Sequence, residues 1–313
     1  MPDILTITGP IFAAITLGYL TTRAGLFARV DMRVFGQFVI KVALPAMLFN
    51  ALSKRDIGDI LNASYVLAYL AGTLALIGLG LVWGKRAGLS ATDSVVAVMG
   101  MTCSNSSFVG YPILLLTVAP VAAVALALNT LVENLLVIPL LLALAERSRG
   151  EAGHWTVVVG QSLKRLAVNP VILALLAGLL VSVMRWPLPE PVFRTVNLFA
   201  LASAGLSLFV IGGTLVDLPI HGLARQVLPI TFAKLVLHPL AVLLTTLAVP
   251  LVGLPALDPS LRTAAVLLAA MPMMSIYPIL AQSYGKEDLG AAALLVTTVA
   301  AFFSLSGLIW LIQ

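Results

Sequence analysis

TDSVVAVMGMTCSNSSFVGYPILLL, residues 92–116, is an apolar run long enough to cross a bilayer, yet it is broken in its middle. The interruption is Cys103-Ser104-Asn105-Ser106-Ser107, followed by Gly110 and Pro112. A second stretch, RTAAVLLAAMPMMSIYPILAQS at 262–283, carries Pro272, Ser275 and Pro278, and its Tyr277-Pro278-Ile279-Leu280 repeats Tyr111-Pro112-Ile113-Leu114. Proline inside a helix costs about 3 kcal/mol. Non-helical backbone at membrane depth persists only where protein or a water-filled cavity satisfies it. Two such breaks bring four helix ends together: the N-terminal ends offer N–H groups to a small anion, the C-terminal ends carbonyls to a cation. The expected substrate site is Ser104, Asn105, Ser106, Ser107, Tyr111 and Pro112 from the first break, with Pro272, Ser275, Tyr277 and Pro278 from the second. A plainer alternative, two proline kinks beside a serine-rich helix contact, stays open. So does simple core packing for Tyr111 and Tyr277.

The rest of the chain agrees with a lipid solvent. Of 313 residues, 60% are hydrophobic and 10% charged, against about 25% charged in soluble domains. Mean hydropathy is +1.08. The net charge of +5 comes from basic residues scattered between apolar runs, the pattern of membrane topology and not of a nucleic-acid surface. A single cysteine, Cys103, excludes an intramolecular disulfide. The opening MPDILTITG has no basic region before its apolar stretch, so it reads as a first span and not as a cleaved signal.

Ten spans are expected, at 4–22, 34–52, 63–83, 92–116, 121–145, 168–184, 195–216, 226–249, 262–283 and 289–312. Short alternating strands are absent, which argues against a β-barrel. The polar stretch ERSRGEAGHW, 146–155, opens a cytoplasmic connection that runs to 167. Odd-numbered loops hold eleven basic residues and even-numbered loops five, which puts both termini on the outer, periplasmic side of an inner membrane. GPIFAAITLGYL (9–20) aligns with NPVILALLAGLL (169–180) at an offset of 160, matching Pro10 with Pro170 and Gly18 with Gly178. The same offset pairs Leu48-Phe49 with Leu208-Phe209, and an offset of 166 pairs the two Tyr-Pro-Ile-Leu words. Two repeats, 1–145 and 168–313, follow. Five spans is an odd number, so the second repeat is inverted, a signature of secondary transporters. The expected fold is all-α and integral to the membrane, with ten helices in two inverted five-helix repeats and proline-broken helices 4 and 9 crossing.

Ionisable residues inside apolar spans are functional candidates. Four qualify: Lys41 in span 2, Glu133 in span 5, and Lys234 and His238 in span 8. Asn129 precedes Glu133 by four residues, so the two share a helix face. Glu133 reads as a proton-coupling carboxylate, or as a structural ion pair with Lys41 or Lys234. Lys41 either attracts a carboxylate or neutralises Glu133, or else reaches for the headgroups. Lys234 and His238 either face Glu133 or cap a kink at Pro239. Asn50 is expected at the interface. Gly78 with Gly80, and Gly212 with Gly213, read as close helix contacts.

No phosphate-binding loop, H-E-x-x-H or G-x-S-x-G occurs, and the histidines are His154, His221 and His238, two of them in loops. ATP-driven pumping and intramembrane hydrolysis therefore lack their motifs. No cofactor or metal is expected. A channel would favour a polar face running through several helices, and a sensor an attached soluble domain; both are remote alternatives to a carrier.

SNSSFVGYPILLL (104–116), NTLVENLLVIPLLL (129–142) and the broken ninth span resemble bacterial members of the auxin efflux carrier family, over essentially the whole chain. The wider kinship includes bile-acid/sodium symporters and the sodium/proton antiporter fold. The resemblance implies a scaffold of helices 1–2 and 6–7 that forms a homodimer, and a moving transport domain of helices 3–5 and 8–10. It further implies elevator-type alternating access, with substrate at the crossing of helices 4 and 9. Plant members carry Asn-Pro at both crossings; here Asn105 has no adjacent proline and Met271-Pro272 no asparagine. Sodium-coupled relatives place an acid in the ninth span, and none lies between Arg262 and Gln282. The expectation is a carrier of small mono- or dicarboxylates coupled to protons or to the membrane potential. An auxin-like aromatic acid exporter and a sodium-coupled carrier are the alternatives.

Overall fold

A computed structural model describes residues 2–53, 62–148, 160, 164, 167–216 and 224–312. Lys54, Arg55, Arg149, His154, Arg165 and His221, and most of the expected connection at 146–167, lie outside the described residues. Among the described residues the chain is helical, and its one β pairing is an isolated bridge. Its helices are α1 (Pro2–Arg23), α2 (Arg29–Leu52), α3 (Ala63–Arg86), α4 (Ala91–Thr102), α5 (Ser106–Thr117) and α6 (Ala119–Ser148). The second half continues with α7 (Pro170–Met184), α8 (Glu190–Thr214), α9 (Arg225–Val252), α10 (Pro259–Ala270), α11 (Tyr277–Gln282) and α12 (Glu287–Ile312). Among the described residues, six helices are long and apolar enough to cross a membrane: α2, α3, α6, α8, α9 and α12. The shorter apolar helices α5, α7 and α10 add to them.

Local chemistry sets several ends. Ser90 accepts from Asp93 N at 3.0 Å to open α4, Asn169 from Val171 N at 2.9 Å to open α7, and Asp258 from Ser260 N at 2.9 Å to open α10. These side chains satisfy N–H groups that a helix start leaves free. α2 begins at Arg29, earlier than residue 34, because Asp31 reaches back to the Ala28 N–H at 2.8 Å and anchors an additional turn.

The prolines explain the irregular turns. In α2, α6 and α9 the residue just before a proline bonds five residues back: Leu44 N–H to Val39, Ile138 N–H to Glu133, and His238 N–H to Ala233. Pro45, Pro139 and Pro239 lack an N–H and press on the carbonyl four residues back, and a widened π turn relieves that clash. Lys41, Glu133 and Lys234 each sit within one of these wide turns. In α5 a wide turn, Ser106–Gly110, likewise precedes Tyr111-Pro112. After the second break the solution differs: Tyr277 opens a regular helix, so Pro278 occupies the first turn, where no N–H is needed.

The chain divides into two compact units. One holds α1, α2, α7, α8 and residues 107–128. Its helices meet backbone to backbone. A Cβ at Gly18 of α1 would strike the Phe209 carbonyl of α8, and one at Gly212 the Ile15 carbonyl. At Gly178 of α7 it would meet the Phe49 backbone of α2 at 3.2 Å. The Gly18–Phe209 and Gly178–Phe49 contacts exchange under the offset of 160, since 18 becomes 178 and 49 becomes 209. Phe27, Phe35 and Phe209 form an edge-to-face cluster beside them. Asn50 is half-buried, and its amide donates to Asn197 Oδ1 at 2.9 Å.

The other unit holds α3, α4, residues 129–148 of α6, and α9 to α12. Gly72 of α3 brings Val242 of α9 so close that a Cβ would lie 2.9 Å from its backbone. Gly80 seats Val98, whereas no described residue lies within 4 Å of where a Cβ at Gly78 would be.

Candidate functional site

Within this second unit the two interruptions satisfy each other. α4 ends at Thr102 and the chain extends through Cys103 (φ −84°, ψ 117°). Ser104 and Met273 form an isolated antiparallel bridge. Asn105 N donates to Pro272 O at 2.8 Å, and Met274 N to Cys103 O at 3.1 Å. The Asn105 amide donates to Ser275 Oγ at 2.8 Å. Buried backbone groups must find partners, and each break supplies them for the other. Neither stretch is stable as open backbone alone.

A polar cluster grows from this bridge. The Ser104 N–H donates to Glu133 Oε1 at 3.1 Å. Asn129, one turn before Glu133, donates to Ser106 Oγ at 2.7 Å, and Ser106 in turn points its hydroxyl at Glu133 Oε2 at 3.4 Å. The Tyr69 hydroxyl lies 3.4 Å from both Glu133 Oε1 and Ser104 Oγ. Glu133 is 6% exposed and Asn129 fully buried. Among the described residues no donor reaches the buried Asn129 Oδ1.

Lys234 approaches from α9. Its ammonium donates to Ser104 Oγ at 2.8 Å, to His238 Nδ1 at 2.9 Å and to the Ala269 carbonyl at 2.6 Å. With Lys234 as an ammonium, which only donates, the assignment follows that Nδ1 accepts and Nε2 carries the ring proton. That proton faces Thr73 Oγ1 at 3.1 Å, and Thr73 passes its own to the Tyr69 carbonyl at 2.8 Å. Lys234 and His238 are both fully buried. Among the described residues Lys234 forms no ion pair. The direct Glu133–Lys234 pair is replaced by a relay through Ser104, whose N–H serves the carboxylate and whose Oγ serves the ammonium.

The structure thus gathers Ser104, Asn105, Ser106, Asn129, Glu133, Lys234, His238, Pro272 and Ser275. Lys41 is exposed on α2 in the other unit, which also holds Ser107, Tyr111 and Pro112. Tyr111 is 5% exposed and Pro112 is buried with it. Tyr277 packs as core: its ring lies over Gly100, where a Cβ would come within 2.9 Å, and its hydroxyl donates to the Val96 carbonyl at 3.1 Å. Pro278 is half-buried behind it. Three participants escaped the sequence reading: Tyr69, Thr73 and the Ala269 carbonyl. Tyr65, Tyr69 and Thr73 recur every four residues along α3, a polar-tipped face that periodicity does reveal. Tyr65 stacks on Tyr69 with centroids 6.1 Å apart. No group of three metal-ligating side chains occurs among the described residues. A cavity of about 590 Å³ in the same unit is lined by Trp83, Asp93, Arg225, Gln226 and Lys286 among others, and by none of the cluster residues. Asp93 and Lys286 are paired there at 2.9 Å.

Residues 4–309 match the family model described as membrane transport protein. A "Putative malonate transporter" of Rhizobium meliloti is 30% identical over 316 residues, covering 100% of this chain and 97% of that protein. The "Uncharacterized transporter YfdV" of Escherichia coli is 26% identical over 245 residues, 76% of this chain and 77% of that one. An "Uncharacterized transporter" of Methanothermobacter thermautotrophicus is 25% identical over 203 residues, 64% of each chain.

Proposed function

We propose that this multi-pass membrane protein, which belongs to the membrane transport protein family, the auxin efflux carriers its motifs resemble, is a secondary carrier of small organic anions. The observation that carries the reading is the pairing of two interrupted helices at Ser104 and Met273, with a buried acid and a buried base both fastened to Ser104. An ordinary helix kink needs no such relay. The substrate carboxylate is received by Asn105, Ser106 and Ser275, and Glu133 takes up and releases the coupling proton. A proton on Glu133 supplies an O–H donor one helical turn from the unpartnered Asn129 carbonyl. The name of the Rhizobium relative points to malonate as the first substrate to try.

The architecture belonging to this reading is ten membrane helices in two inverted repeats. The exchange of the Gly18–Phe209 and Gly178–Phe49 contacts under one offset supports it. Helices 1–2 and 6–7 then form a dimerising scaffold and helices 3–5 and 8–10 the moving part. Elevator-type displacement alternates access across an inner membrane, with both termini periplasmic.

Uptake into proteoliposomes tests the function. Labelled malonate, malate, lactate and indole-3-acetate are offered under imposed pH or sodium gradients. Saturable, pH-driven uptake of one acid that Asn105→Ala weakens upholds the carrier and its site. Absence of uptake of every acid under both gradients removes it and favours a channel or sensor.

A further inference from the structure

We infer that the ammonium of Lys234 is the tethered occupant of a monovalent-cation site, so that this protein takes no free sodium at its helix breaks. The last four carbonyls of a helix have no partner within it and carry the negative end of its dipole. α10 ends at Ala270, which makes the Ala269 carbonyl one of these. At a broken membrane helix such a carbonyl is a natural ligand for a free cation. Here it is taken: Lys234 Nζ lies 2.6 Å from it. Ser104 Oγ and His238 Nδ1 complete a three-acceptor cage at 2.8 Å and 2.9 Å. An ammonium has three donors, and all three are used. The charged and titratable groups around it are Glu133, reached through Ser104, His238 on its own helix, Tyr69 from α3 and Cys103 from the break. A free metal ion would have to displace a cation that is covalently attached. The cage stands on its own geometry; only its consequence, carriage without sodium, rests on the carrier reading.

Lys234→Ala removes a propylammonium-sized fragment and leaves the three acceptors. The test is thermal unfolding of purified protein without substrate, in choline, sodium or propylammonium chloride at equal ionic strength. The wild type is expected to unfold at one temperature in all three salts. Lys234→Ala is expected to unfold earlier in choline, and to regain several degrees, saturably, with propylammonium or sodium. Saturable, sodium-specific stabilisation of the wild type overturns the inference and requires no variant to fold. A folded Lys234→Ala, or Lys234→Gln should the former not accumulate, that ignores both cations overturns it as well. Since no transport is measured, an inactive carrier leaves this result intact, and a failed cage leaves the carrier standing.

Discussion

Both units contain close glycine contacts, but they differ at their centres. In the unit of α1, α2, α7 and α8, glycines let backbones touch, at Gly18 on Phe209, Gly212 on Ile15 and Gly178 on Phe49. In the unit of α3, α4 and α9 to α12, the centre is a polar network from Thr73 through His238, Lys234 and Ser104 to Glu133. Lipid offers no hydrophobic drive between helices, so close packing and interhelical hydrogen bonds are the available forces. The first unit shows chiefly close packing; the second combines contacts such as Gly72 on Val242 with the hydrogen-bond relay. Backbone contact is rigid and tolerates no added volume. A hydrogen-bond relay can lose or gain a proton and is the part able to respond to a gradient.

That contrast can be broken in several ways. The largest effect is expected from Gly212→Leu. Its side chain has no room against the Ile15 carbonyl, and overpacking costs about 1–3 kcal/mol and occasionally more. Little folded protein should reach the membrane, as judged by monodisperse yield on gel filtration; a normal yield would show that α1 and α8 can separate. Next is Glu133→Gln. Its shape is retained, so yield and thermal stability should fall little. Uptake driven by a pH gradient should drop by about 100-fold, while counterflow exchange without a gradient survives; a pH dependence identical to wild type sinks the coupling role.

Asn105→Ala separates binding from folding more finely. It removes the 2.8 Å bond to Ser275, and the loss of one buried hydrogen bond, about 1–2 kcal/mol, should raise KM about tenfold. An unchanged KM for every acid transported places the substrate elsewhere. The smallest effect is expected for Tyr69→Phe. Its hydroxyl sits 3.4 Å from Glu133 and from Ser104, beyond good hydrogen-bond length. Stability should change by less than about 1 kcal/mol while the pH profile of uptake shifts. A large loss of stability with no shift would make the hydroxyl structural.

Much of this was legible in the residues, for reasons that particular positions make plain. Both breaks were visible because polar and proline residues stand out against an apolar run, and a bilayer tolerates them only with a reason. Glu133, Lys234 and His238 stood out in the same way. Glycine pairs were harder: Gly212 and Gly80 make close contacts, yet Gly78, equally suggestive, meets none among the described residues. Tyr69 and Thr73 blended into an apolar helix, although their four-residue spacing is readable in hindsight. The Ala269 carbonyl had no signal at all, since every residue has one.

Sequence alone determined that the chain lives in lipid, where its helices run, and where two of them must break, because hydropathy and proline act within a single segment. The long-range pairings came only with the tertiary structure. It joined Asn105 to Pro272 across 167 positions and Lys234 to Ser104 across 130. It set Ser104 between Glu133 and Lys234 where a direct ion pair was one expectation, and it put Lys41 in the other unit. Partner choice among buried polar groups depends on which helix faces reach the same point in space, and no local pattern encodes that distance.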